Sequence, residues 1–198
     1  MMEFKQTEFL MSSSSRRFLV RDRTSPSHAR VEAAVGSFET LEAYRRYLRG
    51  SYIFRAELEK QMAAVRWPAQ FSLWSASECL SDLMLQDMDD LDMLAPAGPS
   101  AVSPSVVSSD VESLLGMLYV VEGSSLGARV LYRRARSLGL TESYGARHLA
   151  HQSQSNERWS RLLQLLEAAP DLNLDRTVQA SEATFDAVER AFSDPKHA

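Results

Sequence analysis

The stretch LGMLYVVEGSSLGARVLYRRA, residues 115–135, reads as one long amphipathic helix, yet Gly116, Gly123 and Gly127 stand inside it. An interior glycine costs a helix roughly 1 kcal/mol relative to alanine, so the three together forfeit about 3 kcal/mol. Domains are stable by only about 5–15 kcal/mol, and something in the fold must offset that loss. Gly123 and Gly127 are four residues apart and Gly116 is seven before Gly123, which puts all three on one helix face and bares the backbone along it. Two explanations fit: a seam where another helix backbone comes close, or a platform for a flat ligand, with Gly123-Ser124 as a point where the helix can bend. Arg134, seven after Gly127, falls on the same face. It either meets an acid group at a ligand's rim or is a solvated cation favoured by the helix macrodipole.

Outward from this helix the pattern stays helical, with no alternating Val/Ile/Thr runs of the kind that mark strands, so the expected fold class is all-α. Upstream, Ser25 can cap a short helix with Pro26 in its first position and Gly36 closing it after Val35. An apolar stripe from Phe38 to Val65 predicts a second helix, ended by Trp67-Pro68, and a third runs near Ser77 to Leu94. The Pro/Ser/Gly-rich segment 94–109 is a linker within the domain, and Ser109-x-x-Glu112 offers a capping box for the glycine-bearing helix, which should end near Leu138. Two further helices are expected at about Asn156–Ala169 and Leu174–Ser193. Residues 1–17 read as a disordered tail, and residues 18–194 as one helical domain.

Composition narrows the function. The chain has 198 residues, 44% hydrophobic and 24% charged, enough for one sizeable core. A net charge of -4 and a pI near 5.6 argue against nucleic acid as a partner. Cys79 is the only cysteine, which excludes an intrachain disulfide, a CxxC redox pair and a thiolate zinc site, and suits a reducing cytoplasm. No apolar run of the length needed for a membrane span or a secretion signal stands out. No Gly-x-Gly-x-x-Gly dinucleotide motif follows a strand, so any electrons come from outside.

His28 is the second feature, an imidazole near a helix start with Glu32 at i+4. A carboxylate at that spacing can accept the ring's second N–H and orient it, as partners of metal-bound histidines do, although a plain surface pair has the same spacing. His148 and His151 fit surface pairs and receive no ligand role.

Taken together, the two segments resemble the heme oxygenases, the bacterial branch most of all. The family's N-terminal pattern, a basic residue, then Thr-x-x-x-His, then Glu four later, appears as Arg21, Thr24, His28 and Glu32. Its distal-helix pattern Tyr-Val-x-Glu-Gly-Ser-x-Leu-Gly appears as Tyr119, Val120, Glu122, Gly123, Ser124, Leu126 and Gly127, and ESYGARHL looks like a stretch of bacterial members.

The resemblance implies a single-domain bundle with heme b, both substrate and cofactor, between a proximal and a distal helix. His28 would then be the proximal ligand of the iron and Glu32 its partner. Gly123 and Gly127 would form the distal wall, with Ser124 where vertebrate-type enzymes carry an aspartate that orders water. Tyr119 belongs to the same heme-binding stretch. Arg21 and Arg134 would pair with the propionates, with Arg133 as a substitute for Arg134. A neutral imidazole gives less push toward O–O cleavage than a thiolate, which favours oxygen attack on the porphyrin itself. The implied products are biliverdin, carbon monoxide and ferrous iron, with O2 and an external donor such as a ferredoxin or flavoprotein reductase as partners and a phytochrome as a possible recipient of biliverdin. A non-catalytic heme carrier or sensor would use the same residues.

Overall fold

The computed structural model describes residues 15–75, 79–96, 107–154 and 157–193. Its helices are Ser15–Val35 (α1), Leu41–Ala63 (α2), Ser72–Ser75 (α3), Leu80–Asp90 (α4), Val111–Ser137 (α5), Arg147–Ser153 (α6), Glu157–Ala168 (α7) and Leu174–Ser193 (α8), with a 3-10 turn at Ala69–Phe71. Among the described residues the only β pairing is a pair of isolated bridges at Thr141, so the all-α expectation holds. The expected tail as far as residue 14, Ser77 and Asn156 as helix starts, residues 97–106 of the linker and the domain end at residue 194 lie outside the described residues.

The glycine-bearing helix α5 is central. It is unbroken from Val111 to Ser137, packs most extensively against α8, and also touches α6 and α7. It is long and apolar enough to cross a membrane, contrary to the expectation from sequence, but 56% of its most apolar window is buried inside this fold, as befits a core helix. Its cap is not the expected Ser109-x-x-Glu112 box. Asp110 takes the cap position and its carboxylate accepts from the Ser113 amide at 3.0 Å, because a charged acceptor at a helix start gains from the macrodipole as well as the hydrogen bond.

Gly116 marks where α5 meets α8. A Cβ there would stand 2.3 Å from the Thr177 carbonyl and 2.7 Å from the Ala180 methyl, and Ser181 Oγ donates to the Gly116 carbonyl at 2.9 Å. This glycine is a helix seam, and the seam explanation applies to it alone of the three.

Helix α1 begins ten residues before the predicted Ser25 cap and takes in Ser15–Arg17 of the expected tail. Its first turn is held from far away. Arg16 Nη1 donates to the carbonyls of Leu166, Glu167 and Ala169 at the end of α7, and Val20 is fully buried. Pro26 therefore sits in the helix interior, where it deprives the Asp22 carbonyl of its helical donor. Gly36 closes α1 as expected, with φ +66° and its amide donating to the Glu32 carbonyl.

His148 also departs from expectation. It is fully buried, its Nδ1 lies 2.7 Å from Asp87 Oδ2, and its ring stacks on Tyr47 at 6.1 Å. Asp87, equally buried, accepts the Arg147 and His148 amides at the start of α6 and an Arg147 Nη1–H, so one carboxylate ties α4 to α6. Arg147 also pairs with Asp90.

Candidate functional site

Between α1, α2, α5 and α8 lies a cavity of about 590 Å³, within the range typical of small-molecule sites. Its floor comes from α8 as Phe185, Val188 and Phe192, which the apolar face of that helix turns inward. One wall is the polar helix α1, which contributes Arg21, Thr24, Ser25 and His28. The facing stretch of α5 contributes Tyr119, Gly123, Ser124 and Leu126. The two sequence motifs thus meet across one space.

His28 stands edge-on to Phe185 with ring centroids 5.8 Å apart. Its Nδ1 is 3.6 Å from Glu32 Oε1, the i+4 spacing expected, yet longer than a hydrogen bond; both side chains are exposed, at 59% and 70%. The pairing is therefore loose. Thr24 is buried, and its hydroxyl donates to the Val20 carbonyl one turn back.

Of the two remaining glycines of α5, Gly123 lines the cavity, whereas Gly127 is exposed and stands outside the lining residues. A Cβ on Gly123 would meet nothing closer than Trp159 at 3.6 Å, and one on Gly127 would meet nothing within 4 Å. Ser124 Oγ donates to the Val121 carbonyl at 2.7 Å, so its proton is used within the helix. Tyr119 packs its ring on Trp159 at 5.3 Å, and burial raises its phenol pKa against the opposing pull of Arg21 and Arg17. Behind the wall, Glu122 is buried and accepts from Trp74 Nε1 at 2.8 Å, which fastens α5 to α3.

Of the predicted cations, Arg21 lines the cavity, where it bonds Asp22 at 2.8 Å and lies over the Phe18 ring. Arg133 and Arg134 are exposed and stand outside the residues lining the cavity. Sequence reasoning missed Arg55, Tyr47 and Ser51, three cavity residues from α2. Tyr47 is almost wholly buried, which pushes its phenol up to about 12 despite a hydrogen bond with Ser51. The polar pair Arg55 and Glu59 at i+4 on an otherwise apolar stripe was the available signal.

The cavity suits a flat, largely apolar ligand with acidic groups at one edge. It has an imidazole on one side, bare helix backbone on the other and a guanidinium at the rim. A protein-only metal site is a separate matter: among the described residues no three His, Cys, Asp or Glu side chains converge.

Among the described residues, an all-α bundle with a cavity between a histidine-bearing helix and a glycine-bearing helix is the arrangement that characterises the protein. No protein-family model matches the chain. It is 30% identical over 175 residues to heme oxygenase PigA of Pseudomonas aeruginosa, covering 84% of each protein. In fold it is similar to the heme oxygenase of Neisseria meningitidis solved with NO and CO bound, with a TM-score of 0.60, 22% identity, and coverage of 89% of this chain and 92% of that one. The chain belongs to the heme oxygenase family.

Proposed function

We propose that this protein is a heme oxygenase that opens the heme ring to biliverdin, carbon monoxide and ferrous iron, with His28 as the axial ligand of the iron. The observation that carries this is the convergence of His28, Arg21, Tyr119 and Gly123 on one cavity in a chain of this family. The residues fit the substrate: His28 and Gly123 line one cavity from different helices, and Gly123 leaves there the space that a Cβ would fill. Bound heme supplies the iron that binds O2 and the meso carbon that is attacked. The chain does the rest. His28 would fix the iron side, and Glu32 would orient the imidazole once the 3.6 Å gap closes. Gly123 and Gly127 would keep the opposite face clear of side chains, and the Ser124 oxygen would accept from an ordered water. Arg21 and Tyr119 would hold propionates at the rim. Electrons would come from a ferredoxin or flavoprotein reductase, and the biliverdin is suited to a phytochrome. The free, exposed thiol of Cys79 suits the cytoplasm.

Heme added to the purified protein, followed by air and a reductant, tests the activity through chromatography of the extracted pigment. Biliverdin is expected; intact heme would favour a carrier. In His28→Ala the ferrous iron–histidine stretch in the resonance Raman spectrum should vanish, and an unchanged stretch would remove His28 from the iron.

Removal of a charge-assisted contact of about 1.5–3 kcal/mol in Arg21→Ala should weaken heme binding roughly tenfold or more. Arg133→Ala and Arg134→Ala, which alter residues outside the cavity lining, should weaken it less. Heme titration ranks the three, and equal affinities would mean that Arg21 is a surface charge.

A further inference from the structure

Two guanidinium groups line the cavity among the described residues, Arg21 from α1 and Arg55 from α2. Arg21 is exposed and bonded to its neighbour Asp22. Arg55 is held differently. Its side chain is only 15% exposed, its Nε donates to Glu59 Oε1 at 3.0 Å, and Glu59 is its one partner among the described residues.

Glu59 is fixed in its turn. It accepts the Leu80 and Ser81 amides at 2.9 and 3.3 Å and the Ser81 hydroxyl, and so closes off the start of α4. A guanidinium has five N–H donors in a rigid fork, and one of them anchors Arg55 here. The remaining donors have no hydrogen-bond partner among the described residues, and Arg55 lines the cavity.

Position indicates which acceptor they serve. Leu80 and Met84 of α4 line the same cavity as Ala128 of α5, so Arg55, held by Glu59 at the start of α4, shares that space with α5. Ser124, one turn before Ala128, also lines the cavity, and its own hydroxyl proton goes to the Val121 carbonyl. Arg21 also lines the cavity, near Tyr119, whose phenol feels its charge.

We propose that Arg55, presented by Glu59, is the hydrogen-bond donor to an oxygen ligand or small anion held against the Gly123-Ser124 face, while the carboxylates at the substrate's rim go to Arg21. This rests on the heme oxygenase function above. Glu59 is a positioning residue in this arrangement, since it reaches the ligand only through Arg55.

Fluoride titration of the ferric, heme-loaded protein tests this without turnover, because fluoride takes the open coordination position and responds to donors beside it. Arg55→Leu should weaken fluoride binding about 10- to 100-fold, in keeping with loss of a charge-assisted hydrogen bond. Arg55→Lys should weaken it less. Glu59→Gln keeps an acceptor for the α4 amides, loosens the hold on Arg55, and should fall between the two. Circular dichroism of the heme-free proteins establishes folding first. Should Arg55→Leu fail to fold, losses in both remaining variants support the proposal and unaltered affinity in both overturns it.

Unchanged fluoride affinity in a folded, heme-loaded Arg55→Leu protein overturns it directly. So does a drop in heme affinity that disappears when heme dimethyl ester replaces heme, because the guanidinium would then serve a propionate. Failure of the unsubstituted protein to take up heme would sink the function itself, and this inference with it.

Discussion

Gly116→Leu should lose about 3 kcal/mol of stability or more, the sum of overpacking at a closed seam and of the Ser181 hydrogen bond that its carbonyl accepts. The Thr177 carbonyl stands where even a Cβ would fall, so α5 and α8 must move apart. Denaturant unfolding of the heme-free variant measures the loss, and a thermal midpoint lower by roughly 6–12 °C is its counterpart for a chain of this size. Gly127→Leu should behave in the opposite way. With nothing within 4 Å of a Cβ, it should keep or slightly raise stability, since leucine is the better helix former by about 1 kcal/mol, while it obstructs heme uptake. Equal stability losses in the two variants would show that Gly127 is also a packing glycine and that the wall assignment is wrong.

The second large effect is expected at Asp87, which is wholly buried among the Arg147 and His148 amides, the Arg147 guanidinium and the His148 ring. Asp87→Ala leaves these donors without their acceptor, and breaking a buried pair in this way costs about 3–5 kcal/mol. Urea unfolding should show that loss, and a change under about 1 kcal/mol would mean that α6 keeps its place without the carboxylate. Neighbouring Asp90 adds a pH dependence. Its hydrogen bond to Arg147 holds its carboxyl below the usual range despite some desolvation. The stability it contributes is therefore present above the unfolded carboxyl value near 3.9 and is lost as pH falls through the lower folded value. Asp90→Asn should flatten that part of the acid-unfolding profile.

The helical periodicity placed α2 and α5 closely and gave α8 its bounds at Leu174 and Ser193, because each of these helices carries its own apolar stripe. What stayed hidden depends on partners distant in sequence. The start of α1 is set by Arg16, whose acceptors lie 150 to 153 residues away, so the local signals at Ser25 and Pro26 pointed to the wrong turn. His148 looked like a surface residue because Asp87, 61 residues earlier, is what allows it to be buried. The spacing of Gly116, Gly123 and Gly127 gave one face correctly, but only the tertiary neighbours separate a seam at Gly116 from open space at Gly127. Arg55 escaped notice because an i,i+4 Arg–Glu pair looks the same in sequence whether it faces water or a cavity.

The way α1 is fastened bears on how substrate enters and product leaves. The helix is clipped at its start by Arg16 and Val20 and ends at Gly36. Between these points it packs along α8 with Thr24 and Ser27 buried and His28 against Phe185. The ion pairs Arg23–Asp175, Arg30–Asp186 and Arg30–Glu189 tie it to α8 at the surface, while Val20 is its one fully buried hydrophobic residue. Exposed ion pairs are worth little and weaken with salt, whereas α5 is held by a close-packed seam. Pro26 removes one helical hydrogen bond two residues before His28. Local opening should therefore begin on the histidine side, with amide protons around residues 27–31 exchanging well before those of α5, and ionic strength would act on the gate for ligand passage rather than on the floor and far wall.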